Sequence, residues 1–181
     1  MKYTLALLIY LLTLPNNITG QSATEEDTSI EALSMKEIKW DWQSISSGWI
    51  FIFRDEMPGF LATIRPKINI IDIFIRQEHT PQFLAAVISH ELGHVFDTSY
   101  MTWEKRSQWY AIRNIPLNTV WYAESFQSDY YFGQGDFAEC FTWTMQGSAA
   151  GFSSRLGPPP TQEQQDLIRK WFLEATQSAR K

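Results

Sequence analysis

Three runs of hydrophobic residues in the first half of the chain predict β-strands. Residues 49–53 read Trp-Ile-Phe-Ile-Phe, and the runs at 60–64 and 68–75 are also mostly apolar. β-Branched and aromatic residues favour strands, and Pro58, Gly59 and Pro66 are turn formers that separate the runs. We therefore expect three strands before residue 76.

After the third run the pattern changes to helical spacing. Thr80 is expected to cap a helix that extends to about Thr98, with Pro81 in its first turn. The residues that recur on its core face are Leu84, Ile88, Leu92 and Val95.

Three more helices are predicted downstream. They cover residues 103–113, a stretch that starts at Asp136, and residues 161–177, where Thr161 and Gln164 have the spacing of a capping box. Strands first and helices afterwards indicate the α+β class. The expected architecture is an N-terminal β-sheet followed by two functionally important helices.

The first 20 residues predict a secretory signal peptide. A positive start at Lys2 precedes an apolar run from Leu5 to Leu14, and the segment ends at the small residue Gly20. An uncleaved anchor or a buried N-terminal helix is the alternative. Residues 21–39 form a polar and acidic lead-in, which we expect to be mobile up to about residue 36, and residues 40–181 form one domain. The protein is thus expected to be secreted, without membrane attachment once the signal is cleaved.

Charge and cysteine content exclude some function classes. The chain has 15 Lys and Arg against 20 Asp and Glu, so a nucleic-acid partner or an anionic membrane surface is not favoured. Cys140 is the one cysteine, which excludes an internal disulfide and is most simply a small buried hydrophobic residue.

The candidate chemistry is the segment His90-Glu91-Leu92-Gly93-His94. Residues four apart on a helix are neighbours, so His90 and His94 can both bind one Zn²⁺ ion, while Glu91 reaches a water beside it as general base. A chance juxtaposition on a helix surface is the alternative. Gly93 is costly in a helix and indicates a close approach by backbone or ligand.

A catalytic zinc site needs a third protein ligand. The remaining histidine, His79, lies upstream, so we expect a downstream acid, and the best candidates are Asp136 and Glu139. A plain N-cap role for Asp136 and a surface position for Glu139 are the alternatives. Asp97 is a rival ligand that more plausibly orients a histidine or pairs with a basic residue.

These segments resemble the zincin metallopeptidases. His90 to Asp97, followed by Asp136-Phe137-Ala138-Glu139-Cys140-Phe141, is most similar to the group related to the anthrax lethal factor catalytic domain. The resemblance covers two short segments and the order of elements. It implies a zincin-like fold, zinc, peptide hydrolysis, and a third ligand on the second helix.

The chain departs from that group at one position. The group's ligand glutamate falls on Gly135 here, so we expect Asp136 to ligate, with Glu139 in contact with a histidine; the reverse assignment stays open. The group also places an oxyanion-stabilising tyrosine before this helix. Tyr130 and Tyr131 are near that place, though out of register.

Together these patterns predict a secreted, monomeric zinc metalloendopeptidase that acts on a peptide or protein substrate. Two alternatives remain. One is a degenerate zincin-like binding or inhibitor protein, which Gly135 favours and an intact Glu91 opposes. The other is a zinc hydrolase that acts on a non-peptide amide.

Overall fold

The computed structural model describes residues 27–123 and 127–178. The predicted signal peptide and the start of the polar lead-in lie outside the described residues. Within the part of the chain that is described, no helix combines the length and the apolar character needed to cross a membrane.

The three predicted strands are present and form one mixed sheet. The strands are β1 (Ile50–Asp55), β2 (Ala62–Arg65) and β3 (Ile70–Ile75), in the order β1-β3-β2. β3 pairs parallel to β1 and antiparallel to β2. The β2–β3 connection ends at Asn69 with φ 52°, a left-handed conformation that asparagine tolerates well. One face of the sheet joins the core through the fully buried Ile71 and Ile73.

Five α-helices in the described residues complete the α+β fold. They are α1 (Ile30–Lys36), α2 (Pro81–Tyr100), α3 (Trp103–Arg113), α4 (Gly133–Gln146) and α5 (Gln162–Ser178). The predicted caps are present: Thr80 accepts a hydrogen bond from the Phe83 amide at 3.2 Å. At the start of α5, the Gln164 side chain accepts from the Thr161 amide at 2.9 Å, and the Thr161 hydroxyl accepts in return at 3.4 Å.

Two helical segments differ from the prediction. α1 forms where a mobile lead-in was expected, because Ser29 caps it and Ile30 and Met35 pack against the core. α4 begins at Gly133 instead of Asp136, so its first turn contains two glycines. The buried environment of that turn, and not helix propensity, determines where α4 starts.

The contact between α2 and α4 positions the site. A Cβ atom on Gly93 would lie 2.8 Å from the Cα of Ala138, so glycine is needed for the two helices to approach this closely. The predicted close approach at Gly93 is therefore an approach by the backbone of α4. The core around this contact is aromatic, with Phe96, Phe137 and Phe141 fully buried, and Cys140 is also buried there as expected.

Candidate metal centre

Three side-chain atoms converge beside α2. Nε2 of His90 and Nε2 of His94 lie 3.2 Å apart, and Oδ2 of Asp129 lies 3.0 Å from the first nitrogen and 2.8 Å from the second. His90 and His94 are brought together by their spacing of four residues on α2. Asp129 comes from a separate element, the 3₁₀ turn Asp129–Tyr131 that precedes α4. The three residues form a group that can hold a metal ion.

Gly135 makes room for the Asp129 turn. A Cβ atom at this position would lie 2.2 Å from the carbonyl oxygen of Asp129 and 3.0 Å from its Cγ. Distances this short do not occur between real atoms, so any side chain at position 135 would displace the turn. The glycine that removes a ligand from α4 therefore provides the space in which Asp129 reaches the histidines.

Comparisons with protein-family models, with curated proteins and with solved structures gave no match. The resemblance to the zincins therefore stays a prediction from the motif segments and the order of elements.

The donor set fits a tetrahedral metal ion. Two imidazole nitrogens and one carboxylate oxygen are a frequent catalytic zinc set, with metal–ligand distances of about 2.0–2.1 Å. Tetrahedral geometry at those distances separates neighbouring ligand atoms by about 3.3 Å. The observed separations of 2.8, 3.0 and 3.2 Å are slightly tighter than this. Outward movements of a few tenths of an ångström would accommodate the ion.

The charges of the cluster favour a cation at its centre. Burial raises the pKa of Asp129, but hydrogen bonds with His90 and His94 outweigh it and hold the pKa well below its usual range. Burial likewise lowers the pKa of His90, yet the interactions with Asp129 and Glu139 raise that pKa well above its ordinary value. In the metal-free protein a proton on His90 therefore offsets the Asp129 carboxylate. A metal ion would replace that proton.

Glu139 lies on the far side of His90. Its Oε1 is 2.9 Å from Nδ1 of His90, within ion-pair distance although not aligned as a hydrogen bond. A carboxylate beside Nδ1 favours a proton on that nitrogen, which leaves Nε2 free to bind a metal. This is the role that the sequence analysis gave Glu139 in its favoured assignment. The other oxygen of Glu139 accepts a hydrogen bond from the Ser153 amide at 2.6 Å.

Asp136, the expected third ligand, lies in a different network. Its carboxylate is fully buried and accepts hydrogen bonds from Arg113, at 2.6 and 3.0 Å, and from the Trp109 indole at 3.0 Å. The Ser154 hydroxyl donates a fourth at 2.6 Å. The structure does not bring Asp136 to the histidines, because its position on α4 points it towards α3. Its role is to bind α3, α4 and the segment around Ser154 together.

Glu91 lies beside the cluster, and its carboxylate makes no hydrogen bond or ion pair with the described residues. The residue is only 7% exposed. Burial raises its pKa, while His94 and His90 oppose the rise. A carboxylate that is buried, unengaged and adjacent to two metal-capable histidines has the properties of a general base.

The two tyrosines differ in position. The Tyr130 ring lies edge-on to the His90 ring, with centroids 5.8 Å apart, whereas Tyr131 is 61% exposed. Burial raises the pKa of Tyr130, so its hydroxyl remains a neutral hydrogen-bond donor. Of the pair, Tyr130 is the one that accompanies the candidate centre.

The other candidate ligands are engaged elsewhere. Asp97 accepts hydrogen bonds from Arg106 and from the Trp121 indole, both at 3.0 Å, so the expected pairing with a basic residue is confirmed. His79 accepts a hydrogen bond from the Arg76 amide at 3.2 Å, near the start of α2. Neither belongs to the metal-capable group.

Sequence reasoning missed Asp129. The candidates for a third ligand were Asp136 and Glu139 on α4 and Asp97 on α2, and the turn before α4 was not among them. The available signal was Gly135 itself: a glycine in a helix, where alanine is more favourable by about 1 kcal/mol, indicates that another group occupies the space of its side chain. The acid that fills this space precedes it by six residues.

Proposed function

We propose that the protein is a zinc-dependent hydrolase of peptide bonds. The observation that carries the proposal is the convergence of His90, His94 and Asp129 beside the buried and unengaged carboxylate of Glu91. Three protein ligands with one open position is the arrangement of catalytic zinc sites, while structural sites use four ligands. The likeness of the motif segment to the zincins supports peptides as the substrate class.

The chain's own residues supply the remaining chemistry. A bound zinc ion would polarise the scissile carbonyl and acidify a water molecule. Glu91 would accept the proton from the attacking water and pass it to the leaving amine, for which a raised pKa is suited. Tyr130 would donate a hydrogen bond to the carbonyl oxygen as negative charge develops on it. Glu139 would hold the His90 ring in the orientation that directs Nε2 to the metal.

Asp129 weakens the case for a degenerate binding protein. The feature that favoured degeneration was the loss of a ligand at Gly135, and the Asp129 turn offers a replacement ligand in the space that this glycine leaves. Together with Glu91, this replacement ligand supports turnover over a degenerate binding role. A hydrolase that acts on a non-peptide amide would use the same groups. Cleavage of peptides compared with cleavage of small amides separates these two functions.

Metal content and a Glu91→Gln variant test the proposal. We expect one zinc per chain by elemental analysis, and cleavage of a peptide library that Glu91→Gln abolishes while its zinc content is unchanged. Glu104→Gln, an exposed change on α3, is the matched control and should cleave at the wild-type rate. A wild-type chain that binds zinc but cuts no peptide would contradict the assignment, and turnover of small amides instead would favour the alternative hydrolase.

We also propose that the protein is secreted, from the pattern of residues 1–20. N-terminal sequencing after expression in a secreting host should find a mature chain that starts near Gln21. Retention of the full chain inside the cell would contradict this.

A further inference from the structure

The segment after α4 contacts both sides of the candidate metal centre. We refer to residues 152–157 as the crossing segment. In three consecutive residues, the Ser153 amide donates to Glu139 Oε2 at 2.6 Å, the Ser154 hydroxyl donates to Asp136 Oδ1 at 2.6 Å, and the Arg155 amide donates to the Tyr130 carbonyl at 2.9 Å. The first and third contacts reach residues beside the candidate centre, and the second reaches the buried Asp136.

Two of these contacts lead directly to the metal-capable residues. Glu139, held by the Ser153 amide, lies beside Nδ1 of His90. Tyr130, held by the Arg155 amide, follows Asp129 in the same short turn. The crossing segment thus fixes the orientation of one histidine through Glu139 and the position of the Asp129 turn through Tyr130.

Ser154 connects these two contacts to the core. Its hydroxyl donates to Asp136 and accepts from the Leu156 amide at 3.2 Å, which fixes the backbone on either side. Asp136 is itself held by the buried Arg113. On the C-terminal side, a Cβ atom at Gly157 would lie only 2.9 Å from Nη2 of Arg113, so the segment packs directly on this pair. The middle of the crossing segment is therefore held by one hydroxyl, that of Ser154, which bonds to the buried ion pair of Asp136 and Arg113.

We propose that Ser154 is a positioning residue of the metal centre. Its hydroxyl holds the crossing segment so that the two flanking amides fix Glu139 and the Asp129 turn. Within the described residues Ser154 makes no hydrogen bond to His90, His94, Asp129 or Glu91, so it would act through these neighbours. The inference rests on the proposed metal site and extends the network around it to a third layer of residues.

Zinc affinity of Ser154 variants tests the inference. Removing a residue that contacts a metal ligand typically weakens metal binding by about 10–100-fold. Ser154 acts one contact further away, so we expect a loss near the lower end, about 10-fold weaker zinc binding in Ser154→Ala, measured by competition with a chromophoric chelator. Ser154→Thr keeps the hydroxyl and should restore the affinity to near the wild-type value. The matched control is Ser34→Ala on α1, which removes a buried hydroxyl that donates to the Ile30 carbonyl.

Two further measurements separate positioning from general destabilisation. The visible spectrum of the Co²⁺-loaded protein should change in Ser154→Ala, and in the metal-free protein the Ser153 and Arg155 amides should exchange hydrogen faster. Urea unfolding of the metal-free form gives the stability loss to compare with Ser34→Ala. An unchanged zinc affinity and Co²⁺ spectrum in Ser154→Ala would overturn the inference. So would an equal loss of affinity in Ser34→Ala. These outcomes are independent of peptide cleavage, so they are distinct from a failure of the proposed activity.

Discussion

The most direct test of the site is the substitution Gly135→Ala. An alanine Cβ here would lie 2.2 Å from the Asp129 carbonyl oxygen and 2.4 Å from the carbonyl carbon. Ordinary van der Waals contact begins at 3.4 Å, so the oxygen would have to move by about 1.2 Å. The neighbouring atoms are backbone, which cannot rotate away as a flexible side chain would. The Asp129 turn as a whole must shift.

A shift of that size is decisive for metal binding. Zinc–ligand distances are fixed to within about 0.2 Å, so a displacement of about 1 Å removes Asp129 from the ligand set. We expect zinc affinity to fall by at least about 100-fold, the upper end of the losses seen when only a supporting residue is removed. Overpacking costs about 1–3 kcal/mol, and the better helix propensity of alanine offsets about 1 kcal/mol of this. The metal-free fold should therefore lose about 0–2 kcal/mol, and the loss of zinc affinity should exceed what this destabilisation explains.

The assay compares Gly135→Ala with Gly133→Ala in the same turn of α4. A Cβ atom on Gly133 would lie 2.5 Å from the Tyr110 hydroxyl and 2.6 Å from the Trp121 ring, away from Asp129. Chelator competition gives the zinc affinity of each variant, and urea unfolding of the metal-free forms gives the stability. Both substitutions overpack the same turn and should cost stability to a similar degree, but only Gly135→Ala should lose zinc affinity, because only its clash displaces Asp129. Wild-type zinc affinity in Gly135→Ala would refute the assignment of Asp129.

Three further outcomes are expected. Asp136→Ala should lower the free energy of unfolding in urea by about 3–5 kcal/mol, because Arg113 is left buried without its partner. One zinc should still bind per folded chain. A variant that is as stable as the wild type but binds no zinc would return the ligand role to Asp136. Zinc affinity should fall as pH is lowered through the raised pKa of His90, because the ion must displace the His90 proton, whereas Asp129, whose pKa is lowered, stays ionised. Calorimetry in buffers of different ionisation enthalpy should detect the released proton. A zinc affinity that does not depend on pH would contradict this. With zinc at about 1,000 times its dissociation constant, removal by a chelator should cost about 4 kcal/mol and lower the melting temperature by about 10 °C in scanning calorimetry, with no such change in Asp129→Ala.

The sequence predicted the elements of this fold well where the local pattern is strong. The three strands have β-branched runs bounded by turn formers, and α2 and α5 have caps whose side chains make the expected hydrogen bonds. α1 was not predicted, because its seven residues are stabilised by packing against the core more than by their own pattern. Its acidic surroundings resemble those of a mobile segment.

The candidate site was predictable in part for the same reason. His90, Glu91 and His94 share one helix, so their spacing alone brings them together. Asp129 lies 35 residues from His94 along the chain, and only the packing of α4 on α2 places it there. Asp136 shows the converse: it lies where the resemblance suggested a ligand, yet Arg113, 23 residues earlier, engages it. Such long-range pairings have no local pattern.

The position of Asp129 on a short turn has a consequence for how this centre can be altered. The helices α2 and α4 contribute nearly half of the buried hydrophobic residues in the described part of the chain, and their close approach at Gly93 leaves little tolerance for substitution. The third candidate ligand, Asp129, lies outside both helices, with its side chain 24% exposed. If the centre binds a metal as proposed, we therefore expect that replacing Asp129 with histidine or cysteine changes the metal preference while the scaffold that holds the two histidines is left intact.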